Sequence, residues 1–240
     1  MVSFTRKDCY RIEDLMEILR LLRGEGGCPW DREQTHQSIR MEFIEETYEA
    51  VEAIDTNDIP LMREELGDVL LQVAFHCQIE REQGSFTFDD VCDEVCKKLI
   101  ERHPHVFGEL NLSDTEAVLK NWDKIKQEKK QQSNTDTLTA VSKALPALMR
   151  AQKLQKRADR CGAAQPDKTR AQQALQDALD SWSREQDART AGELLFAAAN
   201  AMRLAGVDAE EALTFASGRF RQELLQKTED SDGQERPATV

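Results

Sequence analysis

The 240-residue chain is poor in the residues that break up or cross-link a fold. It has 11 glycines and 6 prolines, and aromatics make up only 6%. No segment sustains a period-2 alternation, which leaves an all-α fold class. No apolar run approaches the ~20 residues of a membrane span. The opening MVSFTRKDCYRIEDL turns acidic and amphipathic at once and lacks the apolar core of a signal peptide. Basic residues are outnumbered, 32 Lys plus Arg against 45 acids, for a net charge of −13. That excludes sequence-independent nucleic-acid binding and an electrostatic membrane anchor, since both need cations facing phosphates. The six cysteines (Cys9, Cys28, Cys77, Cys92, Cys96 and Cys161) contain no Cys-x-x-Cys pair. Cys92 and Cys96 share a helix face, but no matching Cys or His pair completes a zinc site. They read as free thiols of a protein in a reducing cytoplasm. Neither a Walker loop nor an EF-hand spacing occurs.

What is present is helical periodicity. Ile12, Met16, Ile18, Leu19 and Leu22 predict a helix over 10–23, and the loop GGCPWDREQTHQS follows. A second helix is expected over 38–54, with Ile44, Tyr48, Val51 and Ile54 as its apolar stripe. A third is expected over 61–83, with Leu66, Val69, Leu70, Val73 and Cys77 facing inward and Gly84 at its end. Thr87 with Asp90 caps a fourth helix, 88–103, and 103–108 is a turn. Ser113-x-x-Glu116 is a capping box for a fifth, to about 131. The polar QQSNTDT at 131–137 reads as a linker. Further helices are expected at 141–160, 168–184, 187–205 and 208–226. The resulting division is a domain at 1–131, a second helical unit at 132–227 and a disordered tail at 228–240.

The chemistry concentrates in residues 42–68. Ten acids stand there with one base, Arg63. A salt-bridged surface helix would pair its acids with Lys or Arg at i+4. These acids are unpaired, so they repel one another unless a cation is shared. Glu46 and Glu49 lie three apart, as do Glu65 and Asp68, so each pair sits on one helix face. Both pairs border apolar stripes on consecutive helices. Packed antiparallel, the two helices bring four carboxylates together. Hard oxygen ligands without His or Cys suit Mg²⁺ or Mn²⁺. A di-iron bundle wants two Glu-x-x-His motifs, and the chain has one such spacing, Glu33 to His36.

The same residues carry a resemblance. Glu45-Glu46-x-x-Glu49, fifteen residues, then Glu65-x-x-Asp68 is the EExxE…ExxD signature of the all-α nucleoside triphosphate pyrophosphohydrolases. GGCPWDREQTH, EELGDVLLQVAFH, RHPHVFG and NWDKIKQEK resemble the MazG proteins over roughly residues 10–130. The resemblance implies Mg²⁺-dependent hydrolysis of a nucleoside triphosphate, ribo- or deoxy-, to monophosphate and pyrophosphate, with Mn²⁺ able to substitute, in an enzyme of the house-cleaning kind. Glu46, Glu49, Glu65 and Asp68 would be the metal ligands, and Glu45 would orient or activate water. Phosphate and base contacts would fall on Lys98, Arg102, Trp122 and Lys126. These form two i, i+4 pairs, and an indole can stack on a base. Narrower hydrolases of the same superfamily, acting on dUTP or phosphoribosyl-ATP, and a non-catalytic nucleotide-sensing scaffold stay open as alternatives. His76 shares the face of Glu65 by spacing and suits a structural hydrogen bond. Cys28, Trp30 and Asp31 belong to the loop phrase and receive no chemistry.

After the linker, LPALMRAQKLQKRADRCG resembles the opening of a second MazG-like repeat. There Gln172-Gln173-x-x-Gln176 stands for EExxE, and Thr190-Ala191-Gly192-Glu193 for the second motif. Amides are weak neutral ligands, so this half is expected to be structural or dimerising. Leu194, Leu195, Phe196, Ala198, Met202, Leu213, Phe215 and Phe220 form its packing face. Thin two-helix units also call for a homodimer or higher homo-oligomer that completes a four-helix bundle.

Overall fold

The computed structural model describes residues 2–112, 114–115, 117–118, 121–122, 125, 134–163 and 167–234. It contains helices and no strand among the described residues, so the all-α class holds. The chain divides into two compact units, residues 1–126 and 127–240.

The first unit begins with α1 (Ile12–Arg23), whose first turn is acidic and whose last turn is basic, as the helix dipole favours. Asp14 accepts the Arg11 backbone N–H at 3.0 Å and fixes the start. The following loop passes so close to α1 that a Cβ on Gly27 would lie 2.2 Å from the Leu22 carbonyl oxygen. The expected loop contains a short helix, α2 (Pro29–Glu33), because Pro29 sits at the first helical position where its missing N–H costs nothing. Next come α3 (Arg40–Asp55) and α4 (Ile59–Gln83). Asp58 caps α4 by accepting from Leu61 N at 3.1 Å, so the helix starts two residues earlier than expected and takes Pro60 into its first turn. Gly84 ends α4 in the left-handed conformation, φ 72°, and its N–H bonds back to the last turn. The expected capping box of Thr87 and Asp90 starts α5 (Phe88–Arg102). Where a turn was expected, α6 (Pro104–Phe107) adds one helical turn. Ser113 and Glu116 lie outside the described residues, while 115, 117–118, 121–122 and 125 are helical.

The core of this unit is Leu19, Ile39, Ala74, Phe75 and Ile79, with Leu15, Met16, Leu22 and Leu71 packed on it. It therefore lies where α1 meets the second half of α4. Along the first half of α4, contact with α3 is made through small side chains, with Ala50 and Ala53 buried. This corrects the inward facing expected of Leu66 and Leu70, which are 51% and 41% exposed. Ile44, Tyr48, Val51 and Ile54 are exposed as well. Spacing identified the stripe, but alanines fill the α3–α4 contact and the large apolar side chains face away from it.

The second unit comprises α7 (Asn134–Thr139), α8 (Ala147–Arg160), α9 (Lys168–Glu185), α10 (Ala188–Ala205) and α11 (Ala209–Gln234). The linker expected at 131–137 is partly helical. The helix expected over 141–160 starts only at Ala147, because Pro146 lacks an N–H and disfavours helical geometry in the residue before it. The tail expected to be disordered from 228 continues α11 through Gln234, and 235–240 lie outside the described residues. α9 packs on α10 and α8 crosses both α10 and α11. Gln152 ties these elements together: its Nε2 donates to Ala199 O and Val207 O at 3.0 Å, and its Oε1 accepts from Ala209 N. Leu195, Phe196, Met202, Leu213, Phe215 and Phe220, expected to pack, are exposed.

Candidate metal and nucleotide site

α3 and α4 each contribute carboxylates to one cluster. One oxygen each from Glu46, Glu49 and Glu65 lies within 4.8 Å of the others. Glu65 is buried, Glu46 half-buried and Glu49 exposed, so the group spans the edge of the helix pair. Asp68 is half-buried one turn beyond Glu65 and acts electrostatically on both Glu65 and Glu46, although it stands outside the tight triplet. Glu45 is exposed and adds to the negative field on Glu46.

That field raises two pKa values. Burial lifts the Glu65 carboxyl above its ordinary value, and Glu49, Asp68 and Glu46 lift it further. Glu46 is raised by burial and then by Asp68 and Glu49. No salt bridge reaches any of these four acids from a base among the described residues, as their sequence suggested. A cluster of hard, mutually repelling oxygens, one of them buried, is the donor set of a hard divalent cation. Glu46, Glu49 and Glu65 thus fit such an ion, with Asp68 at its margin.

The other expected site residues fall on α5 and beyond. Arg102, half-buried at the end of α5, places its guanidinium carbon 5.4 Å from the centroid of the Trp122 ring. The structure therefore unites one cation and one indole proposed for nucleotide contact. Lys98 is exposed one turn earlier, and Lys126 lies outside the described residues. Neither Lys98 nor Arg102 is ion-paired to a cluster carboxylate among the described residues.

Two features escaped the sequence reading. Arg23 donates from Nη1 to Asp31 O (2.5 Å) and Gln34 O (3.1 Å), and forks onto both carboxylate oxygens of Glu82 at 2.9 and 2.8 Å. It also lies 5.2 Å over the Phe75 ring. One buried guanidinium thus fastens the 24–38 loop to α4. His76 does have the structural bond expected of it, but its partner is His36, Nδ1 to Nδ1 at 2.7 Å with the rings stacked. His36 Nε2 lies 2.6 Å from Glu80. Burial followed by His36 lowers the His76 pKa. The Glu33–His36 spacing was visible, but His36 turns to α4. Trp30 is 55% exposed.

The fold and this cluster define an all-α protein with a carboxylate group that fits a hard divalent cation, and comparison with known proteins makes the class specific. The model of the MazG nucleotide pyrophosphohydrolase domain matches residues 34–107, a span that contains Glu46, Glu49, Glu65 and Asp68. The nucleoside triphosphate pyrophosphohydrolase/pyrophosphatase MazG of Thermotoga maritima is 39% identical over 90% of this chain and 87% of its own length. The uncharacterized protein YabN of Bacillus subtilis is 41% identical over 91% of this chain, which spans only 47% of that longer protein. A crystal structure of a mazG-related protein from Thermotoga maritima is similar at 26% identity, with a TM-score of 0.42, over 48% of this chain and 99% of that one. The chain belongs to the MazG family.

Proposed function

We propose that this chain hydrolyses nucleoside triphosphates, ribo- or deoxy-, to nucleoside monophosphate and pyrophosphate with Mg²⁺ as cofactor, Mn²⁺ substituting. The observation that carries this is the carboxylate triplet from two helices, with one member buried and no salt bridge to it among the described residues. It is supported by the pyrophosphohydrolase activity named in the Thermotoga maritima relative. Glu46, Glu49 and Glu65 would hold the ion, with Asp68 completing the set. When bound, Mg²⁺ supplies charge neutralisation of the triphosphate and polarisation of the phosphorus under attack. Glu45, exposed beside the ligands, orients the attacking water or takes its proton. Water oxygen bonds to the α-phosphorus, the bond from that phosphorus to the bridging oxygen breaks, and pyrophosphate departs with that oxygen. Arg102 and Trp122 serve phosphate and base, with Lys98 and Lys126 completing the cationic side.

The exposed Ile44, Tyr48, Val51, Ile54, Leu66 and Leu70 are the face on which a second copy completes a four-helix bundle. The second unit is a degenerate repeat, with Gln172, Gln173 and Gln176 where the motif acids would stand, and has a structural role. All six cysteines are free thiols, in keeping with a cytoplasmic setting. The test is Glu49→Gln and Asp68→Asn. Each should lower pyrophosphate release by about a hundredfold or more while circular dichroism stays unchanged, because one ligand charge is lost and repulsion is relieved. Near-wild-type turnover by either variant at saturating Mg²⁺ refutes the ligand assignment.

A further inference from the structure

The tie between the 24–38 loop and α4 contains titratable groups that the carboxylate chemistry does not use. His36 stands near the end of that loop, on the wall of a cavity of about 400 Å³ lined also by Arg23, Arg32, Glu33, Ile79 and Glu82. Its Nδ1 lies 2.7 Å from His76 Nδ1, and its Nε2 lies 2.6 Å from Glu80. The two ring planes are 11° apart. The Phe43 ring of α3 lies 5.7 Å from the His76 ring, so loop, α3 and α4 meet at this pair.

Two ring nitrogens at that distance share one hydrogen. Whichever ring donates, the other must offer a lone pair. An imidazolium carries a hydrogen on both nitrogens, so two of them would meet N–H against N–H. The pair therefore holds together with one bridging proton and cannot hold together with two. The surrounding charges do not help a second proton. Glu80, whose carboxyl is kept below its ordinary value by hydrogen bonds from Ser85 and His36, offsets one positive charge. Glu82 is taken by Arg23, and the exposed Arg32 and Glu33 oppose each other on the same wall. On His76 itself burial, and then the charge of His36, disfavours protonation. The segment that depends on the bond is bounded on both sides. Arg23 holds Gln34 O at 3.1 Å, and Ile39 is 2% exposed in the core. Between them the turn is closed only by Thr35 N to Ser38 Oγ (2.9 Å), Ser38 N to Thr35 Oγ1 (3.2 Å) and Ile39 N to Thr35 O (3.3 Å).

We propose that the His36–His76 pair is a proton-operated latch: one bridging proton holds residues 35–38 on α4, and a second proton releases them. The latch closes at neutral pH and opens in acid, and it stands directly before α3, the helix that carries Glu46 and Glu49. It rests on no property of the metal cluster, so it is tested in EDTA. The full chain is followed by NMR from about pH 8 to about pH 5. The two rings should titrate as a coupled pair, with the second proton taken below the ordinary histidine value of 6.5. Over that second step the ring-to-ring contact should vanish. Exchange protection of the Thr35, Ser38 and Ile39 amides should fall about tenfold, the loss expected of one hydrogen bond, while that of Phe75 and Ile79 in the core holds. His76→Asn places a carboxamide where Nδ1 stands, and a carboxamide can either accept from or donate to His36. Its loop protection should stay level across the same range. Level loop protection in the wild type, an equal fall in His76→Asn, or a fall shared with the core amides overturns the proposal. The wild-type titration decides alone if the variant does not fold.

Discussion

Replacing Arg23 by Met isolates what one guanidinium does for the loop that opens the family motif. Its side chain is 6% exposed, so its bonds are made largely out of water. The two bonds to the carbonyls of Asp31 and Gln34 come from a charged donor, each worth about 1.5 kcal/mol at the low end of such bonds. The fork onto Glu82 contributes less, about 0.5 kcal/mol, because that carboxylate is 38% exposed. Stacking over Phe75 adds about 0.5 kcal/mol. Met keeps the apolar stem packed, so the loss is that of the charged head's contacts, about 4 kcal/mol in total. Lys restores the charge but not the fork, and should recover roughly 1 kcal/mol. Denaturant-dependent amide exchange in α1 and α4 measures this within the first unit alone, so the second unit's unfolding does not enter. An Arg23→Met protein within about 0.5 kcal/mol of wild type, the range of ordinary surface substitutions, would refute the assignment of Arg23 as the loop's fastening.

Two further outcomes follow from the cluster and the apolar face. Glu65 and Glu46 have folded-state pKa values raised above the ordinary 4.5, so the folded chain holds protons that the unfolded chain releases. Their favourable contribution is present below pH 4.5 and lost as pH rises through the raised values. In EDTA the melting temperature of the wild-type first unit relative to Glu65→Gln should therefore fall as pH rises above about 4.5, since the lowered His76 pKa acts the other way in both proteins alike, and Mg²⁺ should restore it; a difference that is flat with pH refutes the carboxylate repulsion. Leu66→Asp puts a charge into the face assigned to a second copy, and sedimentation should shift from dimer to monomer at micromolar concentration, whereas an unchanged dimer places the interface elsewhere.

Much of this was legible in the sequence, for identifiable reasons. Helix ends could be found where a side chain or a special backbone angle fixes them, as at Thr87 with Asp90 and at Gly84. The acids could be paired because i, i+3 spacing fixes a helix face whatever packs against it. The burial of Leu66 and Leu70 could not be read, because periodicity shows which residues share a face and says nothing of what covers it. Small alanines at 50 and 53 made the actual contact. Arg23 reaches Glu82 across 59 residues, and the His36–His76 contact spans 40, so neither leaves a local signature.

The most direct test of the central claim is product analysis of a nucleoside triphosphate incubated with the full chain, followed by phosphorus NMR. The predicted result is nucleoside monophosphate and pyrophosphate in equal amounts, formed with Mg²⁺ and abolished by Glu49→Gln. Nucleoside diphosphate with inorganic phosphate, or hydrolysis that persists in EDTA, would contradict cleavage at the α-phosphorus by the carboxylate cluster of α3 and α4.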